Sequence, residues 1–139
     1  MFLAALLVSL ALHFMISDKP VGFSAGTWGG VILMGLGIAL NLWSDILFKK
    51  DQTTVKPFDD PARLILTGPF VFTRNPMYLG MEMILLGVGV LLGSPAAFSG
   101  ALLFFLVCQY HYIPGEEEIL RRTFKEKYLA YQKRVRRWL

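Results

Sequence analysis

Four apolar stretches dominate the chain, at residues 1–17, 27–48, 77–93 and 96–113. The hydrocarbon core of a bilayer is about 30 Å thick, which a helix of roughly 17 to 25 apolar residues crosses. The pattern therefore predicts four membrane-spanning helices, and only Ser94 and Pro95 join the last two in a tight hairpin. The first stretch carries no Lys or Arg before its apolar run and no convincing cleavage site, so we interpret it as a retained span and not as a signal peptide.

A different pattern follows the fourth stretch, over residues 116–138. Apolar residues recur there at steps of four, four, three, four and three, which is typical of one face of an α-helix. These residues are Leu120, Phe124, Tyr128, Tyr131, Val135 and Trp138. The predicted fold class is an all-α integral membrane protein, with about four transmembrane helices and a C-terminal amphipathic helix that lies on the membrane surface or against the bundle.

Composition and charge agree with this prediction. Hydrophobic residues make up 55% of the 139 residues and charged ones 17%, which excludes a disordered or nucleic-acid-binding protein. All but one of the fourteen Lys and Arg residues lie at positions 49–74 or after 114. The positive-inside rule then puts both of these segments and both termini in the cytoplasm, and the links at 18–26 and 94–95 on the other side. The net charge of +4 is therefore mainly a signal of topology, with some attraction to anionic lipids, and it does not imply a nucleic-acid partner.

We interpret residues 1–139 as one domain. It comprises two N-terminal spans at 1–48, a loop at 49–76, a helical hairpin at 77–113 and a tail at 114–139. A metal site is not expected, because Cys108 is the single cysteine and the two histidines, His13 and His111, lie far apart.

The loop before the third span contains the first candidate for chemistry, Arg74. Pro76 predicts the start of a helix, since proline is tolerated in the first turn. The free amides of that turn suit an anion, and the planar fork of Arg74 suits a carboxylate. The alternative is a loop that anchors Arg74 among lipid headgroups.

Three consecutive glutamates, Glu116, Glu117 and Glu118, begin the predicted tail helix directly after a Pro-Gly pair. Acidic residues favour a helix N-terminus, so capping is one explanation. A carboxylate can also accept both hydroxyls of a ribose. With Arg74 holding a carboxylate, such a group would suit a zwitterionic nucleoside ligand.

Ionisable and polar residues within the spans form a second set of candidates. Glu82 lies four residues after Tyr78, and Asp45 four after Asn41, so each pair shares a helical face. An ionisable group in a span costs a few kcal/mol and is a candidate for function. These residues either line a polar cavity or neutralise one another and nearby cations. His111, at the end of the fourth span, is either an interfacial hydrogen-bonding residue or a catalytic one.

Two segments resemble the isoprenylcysteine carboxyl methyltransferase family. Gly68-Pro69-Phe70, followed by Arg74-Asn75-Pro76-Met77-Tyr78-Leu79-Gly80, resembles that family's arginine-histidine-proline-x-tyrosine motif. Glu116-Glu117-Glu118-Ile119-Leu120 and the aromatic residues that follow it resemble the family's paired glutamates and their trailing residues. Phospholipid N-methyltransferases, which are distant relatives, share the paired glutamates.

The resemblance implies a membrane-embedded methyltransferase that uses S-adenosylmethionine and takes a lipophilic acceptor from the bilayer. It implies cofactor contacts from the residues before and within the two motifs. These are Leu64, Ile65, Phe70, Asn75, Pro76, Met77, Tyr78, Glu116 and Glu117.

The methyl acceptor stays open between a carboxylate, an amine and a thiol. A carboxylate needs no base, whereas a protonated amine or thiol needs one, for which Glu82, His111 and Tyr78 are the candidates. Arg74 serves either the cofactor's carboxylate or the acceptor. Tyr112 stands where prenylcysteine enzymes carry an arginine that faces the substrate, which weakens the case for a prenylcysteine substrate.

Two other departures from the family pattern stand out: Asn75 replaces the histidine of the motif and removes a possible base, and Lys125 replaces a glycine in the tail.

Two alternative functions also remain. In a small four-span transporter, Glu82 and Asp45 would form a proton-coupled pair. A membrane reductase of the sterol type would bind a nicotinamide cofactor. A transporter has no use for the two motifs. Binding of S-adenosylmethionine or of a nicotinamide dinucleotide distinguishes the methyltransferase from the reductase.

Overall fold

The computed structural model describes residues 1–17, 25–52 and 61–139. Over these ranges the chain is helical and contains no β-strand, as predicted. The α-helices are α1 (Phe2–Ile16), α2 (Ala25–Lys50), α3 (Pro76–Leu92), α4 (Ser99–Val107) and α5 (Ile113–Arg134). Most of the predicted outer link at 18–26, and the segment Thr53-Thr54-Val55-Lys56-Pro57 of the loop, lie outside the described residues.

Length and composition make two stretches of the described chain suitable for crossing a membrane, Gly26–Lys50 and Pro95–Arg134. The helices Phe2–Ile16 and Pro76–Leu92 are apolar but shorter. The four-span topology therefore stays a prediction. The start of α3 at Pro76 confirms the helix boundary expected from proline in a first turn.

The tail departs from the sequence-based expectation at both ends. After α4 the chain passes through a π-helical turn, Cys108–Tyr112, and continues directly into α5. The prediction that a helix begins at Glu116 is thus wrong, and so is its predicted end at Trp138. A π-helical turn changes the hydrogen-bond register just before Pro114, so the missing N–H of this proline does not end the helix.

The structure divides into two compact units, each built from two segments of the chain. The first unit contains Met1–Ala39 and Leu79–Val107, and the second contains Leu40–Tyr78 and Cys108–Leu139. Both predicted motifs, apart from Leu79 and Gly80, fall in the second unit. The proposed single domain of 139 residues is not tested by this division.

In the first unit, glycines allow close helix crossings. A Cβ at Gly37 of α2 would lie 2.5 Å from the carbonyl oxygen of Gly80 in α3, and one at Gly30 would lie 2.7 Å from that of Gly87. The glycines on each helix are seven residues apart, so they return to the same face after two turns. α1 packs on α4, where Gly100 meets the backbone of Ala5.

The core of the second unit joins the loop to α5. Ile65, Phe70, Tyr128 and Tyr131 form a buried cluster. The hydroxyl of Tyr131 donates a hydrogen bond of 2.7 Å to the carbonyl oxygen of Phe70. Partly buried residues pack around this cluster: Leu47, Phe48, Leu64, Leu120, Phe124 and Val135. The apolar face predicted for the tail is confirmed as far as Val135, and it packs against protein.

Candidate functional site

A tight turn positions the first motif. Gly68 has a φ of +61°, a left-handed conformation that glycine adopts without strain, and it begins a short 3₁₀ turn, Gly68–Val71. A Cβ at Gly68 would lie 2.6 Å from the Leu47 side chain and 3.2 Å from the Trp43 indole nitrogen. Both the backbone conformation and the lack of space therefore require glycine, and Phe70 is directed into the buried cluster.

A short hydrogen bond connects the two motifs. The Tyr78 hydroxyl, on the first turn of α3, donates to Oε1 of Glu116 on the first turn of α5 at 2.6 Å. The two residues are 38 positions apart in the chain. Burial raises the pKa of the Glu116 carboxyl above its usual range, while the hydrogen bond from Tyr78 acts in the opposite direction. The site thus holds a half-buried, oriented carboxylate beside an aromatic ring.

Glu117, the next residue, is buried and accepts from several arginines. Its side chain is 4% exposed, and its Oε1 lies 2.9 Å from Nη2 of Arg74. Arg137 contacts both oxygens, with Nε 3.2 Å from Oε1 and Nη2 2.8 Å from Oε2. Arg121 approaches Oε2 at 3.5 Å. Because a buried charge needs partners, this cluster explains how Glu117 is accommodated.

Arg74 is therefore only partly available to a ligand. Its side chain is 11% exposed, and its Nη2 pairs with Glu117. Its Nε is buried and has no hydrogen-bond partner. The sequence suggested a guanidinium open to a ligand carboxylate. In the structure Nη2 binds Glu117, Nη1 lies 3.1 Å from the side-chain amide of Gln132, and Nε is the buried donor that stays unpaired.

The last five residues, 135–139, form a segment that we call the C-terminal segment. It leaves α5 in an extended conformation at Val135 and returns to the loop. The Arg74 amide donates to the carbonyl oxygen of Arg136 at 3.0 Å. The carbonyl oxygen of Arg137 accepts from Thr73 Oγ1 at 3.1 Å and from Asn75 Nδ2 at 2.9 Å. The loop around Arg74 is thus hydrogen-bonded to the end of the chain.

The predicted cofactor residues occupy three kinds of position. Ile65 and Phe70 are buried in the core cluster, with Leu64 packed against it. The side chain of Asn75 holds the C-terminal segment. Pro76 is buried and Met77 half-buried at the start of α3. The polar groups brought together in the second unit are those of Arg74, Tyr78, Glu116 and Glu117.

The candidate bases His111 and Glu82, and the ionisable residue Asp45, are not part of this group of polar residues. His111 is exposed on the π-helical turn, with its ring edge-on to that of Tyr112 at 5.2 Å between centroids. The Tyr112 ring lies 6.3 Å from that of Tyr78. Glu82 belongs to the first unit, and its Oε2 is buried without a hydrogen-bond partner. Asp45 forms an ion pair of 2.5 Å with Lys49, four residues later on α2.

Comparison with known proteins decides the family. The family model for phospholipid methyltransferases matches residues 25–127, nearly three quarters of the chain. The chain belongs to the phospholipid methyltransferase family. An uncharacterized protein of Haemophilus influenzae is 40% identical over 63 residues, which are 45% of this chain and 100% of that relative. No solved structure matches the chain.

Membership of the phospholipid methyltransferase family confirms the resemblance inferred from the two motifs. It assigns the chain to a family of membrane methyltransferases, for which lipid substrates are expected. Within the described ranges, no group of three His, Cys, Asp or Glu residues is arranged to hold a metal ion. The matched residues include the first motif and the three glutamates of the second, and they end at residue 127, before Tyr128, Tyr131 and the C-terminal segment.

Sequence reasoning did not single out Arg137 or Thr73, which the structure brings into contact with the candidate site. Arg137 is one of eight cations in the tail, and no spacing distinguishes it from its neighbours. Thr73 resembles any polar loop residue. Their contacts depend on the break in α5 at Lys125, which brings the end of the chain back toward Glu117.

Proposed function

We propose that this member of the phospholipid methyltransferase family is an integral membrane enzyme that transfers a methyl group from S-adenosylmethionine to the amine of a phospholipid headgroup. The observation that carries the proposal is the hydrogen bond between Tyr78 and Glu116, which joins the two motifs in one place. The family supports a phospholipid acceptor. Tyr112, in the position of the arginine expected for prenylcysteine enzymes, argues in the same direction.

The chemistry of the donor set fits this cofactor. Glu116 supplies a carboxylate for ribose hydroxyls, and Tyr78 orients it. The rings of Tyr78 and Tyr112 offer π faces, which attract a sulfonium cation. The buried Nε of Arg74 is a donor for the cofactor's carboxylate. We therefore assign cofactor binding to Glu116, Tyr78 and Arg74, and treat Glu117 as the residue that positions Arg74.

The bound cofactor supplies an activated methyl group on a sulfonium. The protein then has to orient the acceptor in line with that group and exclude water, which intramolecular models value at about 7 to 11 kcal/mol. An ammonium acceptor would first have to lose a proton, so that its nitrogen lone pair could take the methyl group while the sulfur of the cofactor kept the electron pair of the S–CH₃ bond.

We assign the proton-accepting role to His111. Tyr78 already donates to Glu116, and ionising it would place two negative oxygens 2.6 Å apart. His111 is in the same unit as that pair and is exposed, so it can release the proton to water. Substitution of His111 with Gln should lower turnover and leave cofactor affinity unchanged, and unaltered turnover would exclude this role.

The transporter has less support. Its proposed pair requires Asp45 to be available to Glu82, whereas Asp45 pairs with Lys49.

We propose the four-span topology with both termini and the cofactor site on the cytoplasmic side, because the cations are partitioned that way. The lipid acceptor then enters from the bilayer.

The cofactor assignment is tested by calorimetry on the purified full-length protein in detergent. Wild type should bind S-adenosylmethionine and not a nicotinamide dinucleotide. Glu116→Gln should weaken binding by about 1.5 to 3 kcal/mol, the scale of hydrogen bonds to a charged group. Glu118→Gln is the matched control, since this neighbouring side chain is 48% exposed and pairs with Arg122. Equal affinities in all three proteins would remove Glu116 from the site.

The acceptor is tested with vesicles. Methyl transfer from labelled S-adenosylmethionine should occur with vesicles that contain phosphatidylethanolamine. A prenylated cysteine analogue in the same vesicles should stay unlabelled. The reverse result would assign the enzyme to carboxylate methylation.

A further inference from the structure

The C-terminal segment lies beyond the residues that match the family model, yet it contacts the loop before α3 at consecutive positions. Its carbonyl oxygens at 136 and 137 accept three hydrogen bonds from residues 73–75. The indole nitrogen of Trp138 also donates to Oε1 of Gln109 on the π-helical turn at 2.8 Å. The segment therefore ties together the loop and the turn from which α5 begins.

The guanidinium of Arg137 adds an ionic connection to this backbone contact. Arg137 binds both oxygens of Glu117, and Arg74 binds Oε1 of the same carboxylate. Hydrogen bonding to Glu117 raises the pKa of Arg137. Without Arg137, Oε2 of this buried glutamate would retain only Arg121, at 3.5 Å. The carboxylate would then be free to turn, and its contact with Arg74 would change.

Two of the three residues assigned to the cofactor, Glu116 and Arg74, depend on this arrangement. Glu117 directly follows Glu116, and Arg74 presents its Nε beside the same cluster. We propose that Arg137 is a positioning residue of the cofactor site, which acts through Glu117 to set the geometry of Arg74 and Glu116. This inference rests on the proposed function, because the positioned groups are those assigned to S-adenosylmethionine.

The test compares full-length variants in detergent by calorimetry with S-adenosylmethionine and by steady-state kinetics. Arg137→Ala should weaken cofactor affinity by about tenfold or more, the scale of a lost charge-assisted contact. The KM for the cofactor should rise by more than kcat falls, because the lost interaction acts on binding. Arg137→Lys keeps the charge without the two-pronged geometry, so its affinity should be intermediate.

Arg134→Ala is the matched control. It removes the same charge from the exposed end of α5, three residues earlier, and should bind the cofactor as wild type does. Thermal unfolding of each variant separates positioning from stability. If Arg137→Ala does not fold, Arg137→Lys provides the decisive measurement.

Three results would count against the inference. Wild-type cofactor affinity in Arg137→Ala, or in Arg137→Lys where Ala does not fold, would overturn it and leave the proposed function standing. An equal loss of cofactor affinity in Arg134→Ala would show that removing any positive charge from this region has the same effect. That result would also overturn the inference. Absence of binding by the wild-type protein would instead remove the proposed function, and this inference with it.

Discussion

Adjacent glutamates have different environments at this site. Glu116 accepts from Tyr78, Glu117 is buried among arginines, and Glu118 is exposed and pairs with Arg122. On a helix, each successive residue is rotated by about 100°, so neighbours face different surroundings. The sequence presented the three as one acidic cluster, and the structure assigns each of them a separate partner.

The raised pKa of Glu116 predicts a pH dependence of cofactor binding. An ionised carboxylate accepts hydroxyl hydrogens well, so affinity for S-adenosylmethionine should decrease as the pH falls through the raised pKa of Glu116. The decrease should therefore begin at a higher pH than an ordinary glutamate would give. Calorimetry between about pH 5 and pH 8 measures it.

The control for this prediction is Glu116→Gln under the same conditions, because titration of the cofactor itself is common to both proteins. This variant should bind the cofactor more weakly, and its affinity should lack the part of the pH dependence that comes from Glu116. Identical pH profiles for the two proteins would show that Glu116 does not titrate with binding. The stability effect has the opposite sign: a carboxyl with a raised pKa stabilises the fold at low pH, and this stabilisation is lost as the pH rises.

At the scale of the element, α5 contains a local irregularity at Lys125. This residue has φ 44° and ψ −120°, a conformation that side chains disfavour and glycine tolerates. Resemblance to methyltransferase relatives already indicated a glycine at this position. The structure supplies the physical reason, since the non-helical backbone at Lys125 divides α5 into two helical parts.

Lys125→Gly should therefore stabilise the protein by about 1 kcal/mol, because it relieves the strained backbone. Lys127→Gly is the control: it lies two residues on, is exposed in regular helix, and should destabilise by about 1 kcal/mol. Thermal unfolding in detergent measures both. A lower midpoint for Lys125→Gly would contradict the strain argument.

The crossing of α2 and α3 gives a second prediction for an element. Gly37→Ala places a Cβ 2.5 Å from the Gly80 carbonyl oxygen, so the helices must separate, at a cost of about 1 to 3 kcal/mol. Gly35→Ala, on the same helix, meets no atom within 4 Å and should be neutral or slightly stabilising. Equal unfolding temperatures for the two variants would exclude the close crossing.

At the scale of the whole molecule, topology decides whether the two motifs share a membrane face. Single cysteines at Gln52 and Lys133 should react with an impermeant reagent from the cytoplasmic side, and one at Ser17 from the other side. Native Cys108 is buried, so its background reaction should be small. Reaction of positions 52 and 133 from opposite sides would exclude the four-span model.

The sequence by itself determined the features that arise from local patterns. Helical periodicity predicted the apolar face that carries Tyr128 and Tyr131, proline predicted the start of α3, and two motifs indicated the family. The lengths of the apolar stretches and the spacing of their side chains predicted helices, because helical hydrogen bonds join residues that are close in the sequence.

Only the tertiary structure decided which residues meet. It showed that Tyr78 bonds to Glu116, that Arg74 shares Glu117 with Arg137, and that α5 breaks at Lys125. These contacts join residues far apart in the chain, and each depends on the packing of the loop against α5. Pro114 illustrates the limit: it normally marks a helix boundary, but the preceding π-helical turn lets the helix continue, so the local signal misplaced the start of the tail.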